Sequence, residues 1–429
     1  MIVQEIVDQA KSVAQAVQAT LRSHETSEVN FENDRLKSAE SSQRTDIQVK
    51  VIKDGKVGLS STTDPGDIQG VINRAVEAAE FWTPAHFQMP SPQPTQPVKT
   101  YDASLVPLAK PDMIQLGQGM MDMIKSYNPD ILAGAQVTKT VQQVEFANSA
   151  GAAYTEQHSN YNVGAGGVLV RGTDILFAEH GVAQKRSGVD PEEIAERAIE
   201  YFRLAERMAP VHSGQMPVIF TPNGLVALLL SLCLGLDGKN VYLGASPLRD
   251  KLGQAIADPR FTLVDDPTID YGASSSAFDD EGIPRQRLPL IENGVLRNFV
   301  YDLDTAGRAG ARPTGHGSGR SYTNLVIQPG DTPYTEMIKG VKRGLLVDSF
   351  LGIGQGNPIN GEFSANVYLG YKIENGEIVG RVKDVMLAGN TYQALKNITG
   401  LSQERQWMVW PYTGLLPYLQ IDQLSVVAK

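Results

Sequence analysis

Apolar and polar residues follow one another along this chain with a period that changes several times. The first 21 residues, MIVQEIVDQAKSVAQAVQATL, space their apolar positions at helical intervals and predict one amphipathic helix. VNFENDRLKSAES and DIQVKVIKDGKVGLSS read as strands, with Asp54-Gly55 supplying the positive φ angles of a tight hairpin turn. A second helix is predicted from Asp64-Pro65, with Asp64 as cap, Pro65 at the first helical position, an apolar stripe from Ile68 to Ala79 and an end near Trp82. Six prolines between Met89 and Pro111 exclude continuous helix or central strand, which predicts an extended linker.

Beyond the linker the pattern predicts a Met-rich helix (MIQLGQGMMDMIKSY) and strands around QVTKTVQQVEFANSAG, YNVGAGGVLVRG and ILFAEHGVAQKR. A further helix starts at Pro191, capped by Asp190 with Glu193 at the capping-box position. From Gln215 onwards there is a strand, MPVIF, a buried helix introduced by Thr221-Pro222, and many short strands with Gly-rich turns. The tetrapeptide IENG occurs twice, at 291–294 and 373–376, each time where a type I′ hairpin is expected. Alternating helices and antiparallel hairpins with few βαβ signatures predict an α+β fold of several domains, richest in strands towards the C-terminus. The boundaries expected are 1–88 for an N-terminal helix-and-hairpin domain, 89–111 for the linker, 112–213 for a middle domain and 214–429 for a C-terminal domain.

Length supports that division, because 429 residues exceed what one hydrophobic core accommodates. The formal net charge of -10 opposes a phosphate-binding surface, so no direct nucleic-acid contact is expected. Cys233 is the only cysteine, which excludes an internal disulfide and a cysteine-based zinc cluster and fits a reducing, cytoplasmic setting. The longest apolar stretch, Leu225 to Leu236, has 12 residues against about 20 for a bilayer span, so it reads as a core helix and no membrane association is expected.

Candidate chemistry is sparse. The six histidines are each more than twenty residues from the next, so none forms the one-turn pair of a helical zinc site. The Gly238-Lys239 dipeptide fails the phosphate-loop pattern, since Asn240 stands where Ser or Thr is required and Cys233 where the first glycine is. Asp279, Asp280 and Glu281, ahead of Gly282, could either hold a divalent ion or satisfy backbone N–H groups as an acidic turn. In RPTGHGSGRSYTN, His316 and Ser318 suggest a base and nucleophile, although near neighbours in sequence seldom point at each other, and Arg320 follows. LGIGQGNPINGEFS has the glycines of an anion cradle without an obvious helix behind it.

Several of these segments together resemble the TldD/PmbA family. They are Asp279-Asp280-Glu281-Gly282, Pro289 to Leu296 (PLIENGVL), Tyr301 to Ala306 (YDLDTA), SYTNLVIQPGDT, GLLVDSFLGIGQGNPINGEFS and KIENGEIVGRVKDVMLAGNTYQALKNI. ENDRLKSAES, VKVIKDGKVGLSS and ANSAG extend the resemblance to the N-terminal half. Catalytic members of that family carry His-Glu-x-x-x-His leading into Gly-Leu-Glu-Gly, with a cysteine near the C-terminus completing a zinc site. Here the run is LLSLCLGLDGK, which puts Leu229 and Leu234 at the histidine positions, Leu230 at the glutamate and Asp237 in the following turn.

The resemblance therefore implies a PmbA-type (also called TldE-type) chain with no zinc and no catalysis of its own, paired with a TldD-type subunit that supplies the zinc. The pair would act on unfolded peptides, with Asp237, Asp279, Asp280, Glu281, His316, Ser318 and Arg320 as candidates for a substrate groove or interface. The alternative it leaves open is a homodimeric binding or regulatory protein of the gyrase-modulator kind.

Overall fold

The computed structural model describes residues 2–81 and 83–428, so Trp82 lies outside the described residues. In the N-terminal half, α1 (Ile2–Ala10) is followed by β1 (Ala16–Glu32), β2 (Arg35–Lys53), β3 (Lys56–Thr62) and α2 (Ile68–Phe81). Then come α3 (Lys110–Tyr127), β4 (Leu132–Asn148), β5 (Ala153–Arg171), β6 (Asp174–Gln184) and α4 (Pro191–Leu204). The helix predicted for the first 21 residues is half that length. Val3, Ile6, Val7 and Ala10 form its buried stripe, and from Ala16 the backbone instead pairs with β2 on one side and β4 on the other. Tertiary pairing along both strand edges overrides a helical spacing that local sequence alone supports.

Residues 29–41, read as one strand, are a hairpin: Asn33 and Asp34 both take positive φ, 51° and 66°. Asp54-Gly55 does so where expected, at 49° and 73°. Asp64 accepts from Gly66 N at 2.8 Å in a turn ahead of α2 rather than capping the helix itself. Asp190 caps α4 by accepting from Glu192 N and Glu193 N, with Pro191 in the first turn. The proline-rich segment is extended apart from one short 3-10 turn, Ala103–Leu105, and it hydrogen-bonds along β5 through Thr100 and Asp102.

β1 to β6 form one antiparallel sheet in the order β3-β2-β1-β4-β5-β6. The segments 1–88 and 112–213 thus supply three strands each to a single sheet, joined where β1 meets β4. Strand alternation gives the sheet two unlike faces. Val17, Ala19, Val49 and Val51 pack under α1 and α2, while Val29, Val137, Val163 and Ala165 pack under α3 and α4. The opposite face carries Gln18, Thr20 and Arg22 of β1 in register with Asn148, Phe146 and Val144 of β4, and Tyr154 and Glu156 of β5 extend those rows.

The C-terminal half opens with β7 (Gly214–Phe220), α5 (Val226–Leu236) and α6 (Gly238–Tyr242). It continues through β8 (Leu263–Asp265), β9 (Leu288–Glu292), β10 (Val295–Leu296), α7 (Leu303–Ala309), β11 (Leu325–Ile327), α8 (Tyr334–Lys339), β12 (Arg343–Leu351) and β13 (Glu362–Glu374). β14 (Glu377–Arg381), β15 (Val385–Asn390), α9 (Thr391–Ala394), β16 (Ile398–Met408) and β17 (Gly414–Ala428) complete it. The strands form an eleven-stranded sheet in which β7, β12, β13, β15 and β17 close on themselves, because β17 also pairs with β7. Both IENG turns have the positive φ pair expected of them, Asn293-Gly294 and Asn375-Gly376. The fold is α+β, and the two halves share a core in which Phe202 and Ile199 of α4 meet Ile219, Leu346 and Tyr371 of the barrel.

Candidate functional site

The acidic turn at 279–282 sits where the loops of the C-terminal half meet the polar face of the six-stranded sheet. Asp279 is buried, and its carboxylate accepts from Glu281 N and Ile283 N at 2.9 Å and from Gly317 N at 2.8 Å. Asp280 accepts from Ser318 N at 2.9 Å and Ser318 Oγ at 2.6 Å. Glu281 accepts from Leu303 N at 2.8 Å, and its other oxygen lies 3.5 Å from Lys50 Nζ on β2. Burial pushes the Glu281 carboxyl up to about 7 against the pull of Lys50 and the Leu303 N–H.

All three side chains are therefore committed to backbone N–H groups or to a lysine, the second of the two roles open to them. The turn also fastens the halves together. Gln18 donates to the Asp280 carbonyl at 2.9 Å, and Tyr154 donates to the Asp279 carbonyl at 2.8 Å. Gly282 has φ 83° and lies so close to Phe146 that a Cβ would stand 2.6 Å from its ring, which explains the glycine here.

The loop at 315–320 is held by the same turn, and it separates His316 from Ser318. Ser318 Oγ donates to Asp280, whereas the His316 ring is buried with Nδ1 2.9 Å from Thr314 Oγ1. His316 Nε2 lies 2.9 Å from Asp265 Oδ2, off the direction of the ring N–H, and Asp265 itself accepts from Thr323 N and Oγ1 at 2.8 Å. A base-and-nucleophile pair requires a hydrogen bond between the two groups, and here each is bonded elsewhere. Arg320 bridges Asp237 Oδ1, at 2.8 Å, and Asp302. Those two aspartates cap α6 and α7 respectively, so Arg320 clamps two helix starts and its ion pairs are structural.

The helix at the metal-motif position, α5, is packed in the core of the C-terminal half. Leu229 is buried at 1% exposure, while Leu230 and Leu234, one turn apart, are half-buried. Aliphatic carbons have no lone pairs to give a cation, so these residues do not fit a zinc site. Cys233 is buried beside them, and burial pushes its thiol up, away from the thiolate a metal requires. Among the described residues no group of three His, Cys, Asp or Glu side chains is arranged to hold a metal ion. The glycine loop 352–361 leads only into a three-residue 3-10 turn, Pro358–Asn360, too short for an anion-binding helix start.

Sequence reasoning missed a cavity of about 280 Å³ beside the acidic turn, lined in part by Arg22, Glu156, His158, Lys185 and Arg285. These residues come from β1, β5, the position just after β6 and the loop after the acidic turn, and no local spacing links them. A larger groove, about 930 Å³, lies between α3 and α4 and is lined by Asp122, Glu193, Glu196, Arg197 and neighbouring residues.

Residues 213–428 match the PmbA/TldA metallopeptidase C-terminal domain, and residues 19–79 match domain 1 of the same family. An uncharacterised protein of Methanocaldococcus jannaschii is 28% identical over 399 residues, spanning 90% of this chain and 91% of its own length. A metalloprotease of Methanothermobacter thermautotrophicus is 25% identical, spanning 88% of this chain and 86% of its own. The crystal structure of TldE from Thermococcus kodakarensis superimposes with a TM-score of 0.92 over the whole of both chains at 22% identity, a likeness of fold. With half of its length and its opening strands matched to these models, the chain belongs to the PmbA/TldD family of metallopeptidase-like proteins.

Proposed function

We propose that this chain is the non-catalytic, PmbA/TldE-type subunit of a cytoplasmic zinc metallopeptidase complex that trims or matures small unfolded peptides. The observation that carries the reading is α5, where this member of a family named for metallopeptidases presents three leucines, Leu229, Leu230 and Leu234, in a packed core helix. Leucine supplies neither a metal ligand nor a general base, so catalysis has to come from a second, TldD-type chain. This chain contributes walls and strand edges, to which an extended peptide can add by main-chain hydrogen bonds that tolerate varied sequence.

The test is metal content and peptidase turnover of the purified chain, alone and mixed with a TldD-type subunit from the same source. Stoichiometric zinc and turnover in the mixture, with neither in the chain alone, are expected. Turnover by the chain alone would overturn the reading. A homodimer that ignores the second subunit would favour a stand-alone binding protein.

A further inference from the structure

Two of the cationic groups that line the cavity beside the acidic turn, Arg22 and Lys185, make no ion pair among the described residues, although Glu156, Asp279 and Asp280 line it as well. The guanidinium of Arg22, half-buried on β1, lines it and has no hydrogen-bond or ion-pair partner among the described residues. Lys185 is 5% exposed, and the atoms that meet its ammonium are His158 Nδ1 and Asn160 Oδ1, each 3.4 Å away, with no carboxylate of the described residues at ion-pair distance. Arg285 is directed at the Phe278 and Gly315 carbonyls.

The carboxylates nearby are otherwise engaged. Glu156 accepts from Ala277 N at 2.8 Å and lies 3.6 Å from His158 Nε2. Asp279 and Asp280 accept from the backbone and from Ser318, as described above. One wall is apolar: the Tyr154 ring stacks between Phe146 and Phe278, at centroid distances of 4.7 and 4.0 Å. A buried cation without a counter-charge is unfavourable, and a ligand that brings the missing charge relieves it.

We propose that this cavity binds a small carboxylate-bearing molecule, with the carboxylate seated between Arg22 and Lys185 and its hydrocarbon part against the Tyr154 stack. A volume of about 280 Å³, against about 30 Å³ for one water, limits the ligand to on the order of ten heavy atoms or to the end of a longer chain. A guanidinium offers a carboxylate two parallel hydrogen bonds, which favours this group over a single-point anion. The site does not depend on the peptidase reading, because it needs only groups of this chain.

Affinity should also follow the charge of Lys185. Burial lowers its ammonium to about 8, Glu156 opposing, so the cation is present at pH 7 and largely lost at pH 9.5. The charged groups that face it are Glu156 and His158 on β5, Arg22 on β1, and Asp279, Asp280 and Arg285 on the loops.

Calorimetric titration of the full chain with succinate, alanylalanine, alanylalanine amide and inorganic phosphate tests the assignment. At pH 7 binding of succinate, of alanylalanine, or of both is expected. Succinate alone marks a free acid as the ligand, and the dipeptide without its amide marks a peptide end. Binding should weaken roughly tenfold or more at pH 9.5 and in each of Arg22→Met and Lys185→Met. Arg22→Met, at a half-buried position, keeps the test open if Lys185→Met does not fold. No binding by either acid, tighter binding of phosphate, or wild-type affinity in Arg22→Met would overturn the proposal.

Discussion

Asp279 serves three backbone N–H groups at once, two within its own turn and one across the gap to Gly317. Removing that carboxylate strands three donors in a buried place, whereas Asp280 serves one exposed serine. Asp279→Ala is therefore expected to destabilise the protein by on the order of 3 kcal/mol and Asp280→Ala by about 1 kcal/mol in denaturant unfolding. Equal effects would show that the turn does not depend on Asp279. Glu281 carries a pH signature. Its folded-state carboxyl titrates at about 7 against an ordinary value of 4.5, so the folded chain holds a proton that the unfolded chain has released. Stability from this residue is complete below about 4.5 and declines as pH rises to about 7. The difference in unfolding free energy between wild type and Glu281→Gln should drift in the wild type's disfavour across that window, and a flat difference would refute the assignment. At this scale the sequence displayed the acidic residues but not their duties, since Gly317, Leu303 and Lys50 are distant in the chain.

Elements built from local signals were legible, and those built by distant pairing were not. Asp54-Gly55, both IENG turns and the Asp190-Pro191 start of α4 carry their conformation in two to four residues. Residues 17–21, by contrast, do alternate, with Val17 and Ala19 buried under α1 and Gln18 and Thr20 on the opposite face, but so short a run continues the helical spacing that begins at Ile2, and local periodicity does not separate the two. The hairpin at Asn33-Asp34 lacks glycine, the cue that makes such a turn visible. The helix α5 was legible as core because it is apolar on every side, and it provides a graded test. Leu229→His would bury an unpaired imidazole and lose a packed side chain, with an expected loss of about 3 kcal/mol. Leu234→His, half-buried, should lose about 1 kcal/mol. Thermal melting of the two variants checks the order, and the reverse order would mean that α5 presents its other face to the core.

On the scale of the whole molecule, two of the ties between the halves differ in kind. One tie is apolar, where α4 packs on the barrel, and the other is polar, where the acidic turn meets Gln18, Lys50 and Tyr154. Neither was visible in the sequence, because Gln18, Lys50 and Tyr154 lie more than 100 residues from the acidic turn and α4 lies more than 100 from Leu346 and Tyr371. Tyr154 connects the polar tie to the proposed carboxylate cavity, since one ring both donates to Asp279 and forms the apolar wall. A ligand seated there would bear on both halves at once.

The closure of the barrel by β17 also sets a timetable for synthesis. Phe220 of β7 pairs with Leu419 of β17, 199 positions later in the chain. At ordinary translation speeds the ribosome needs roughly 10 to 40 s to make that stretch. β12 can cover one side of β7 in the meantime, but the side that β17 will occupy stays open. An open strand edge is a template for wrong pairing, so the nascent chain carries an aggregation-prone edge until β17 arrives.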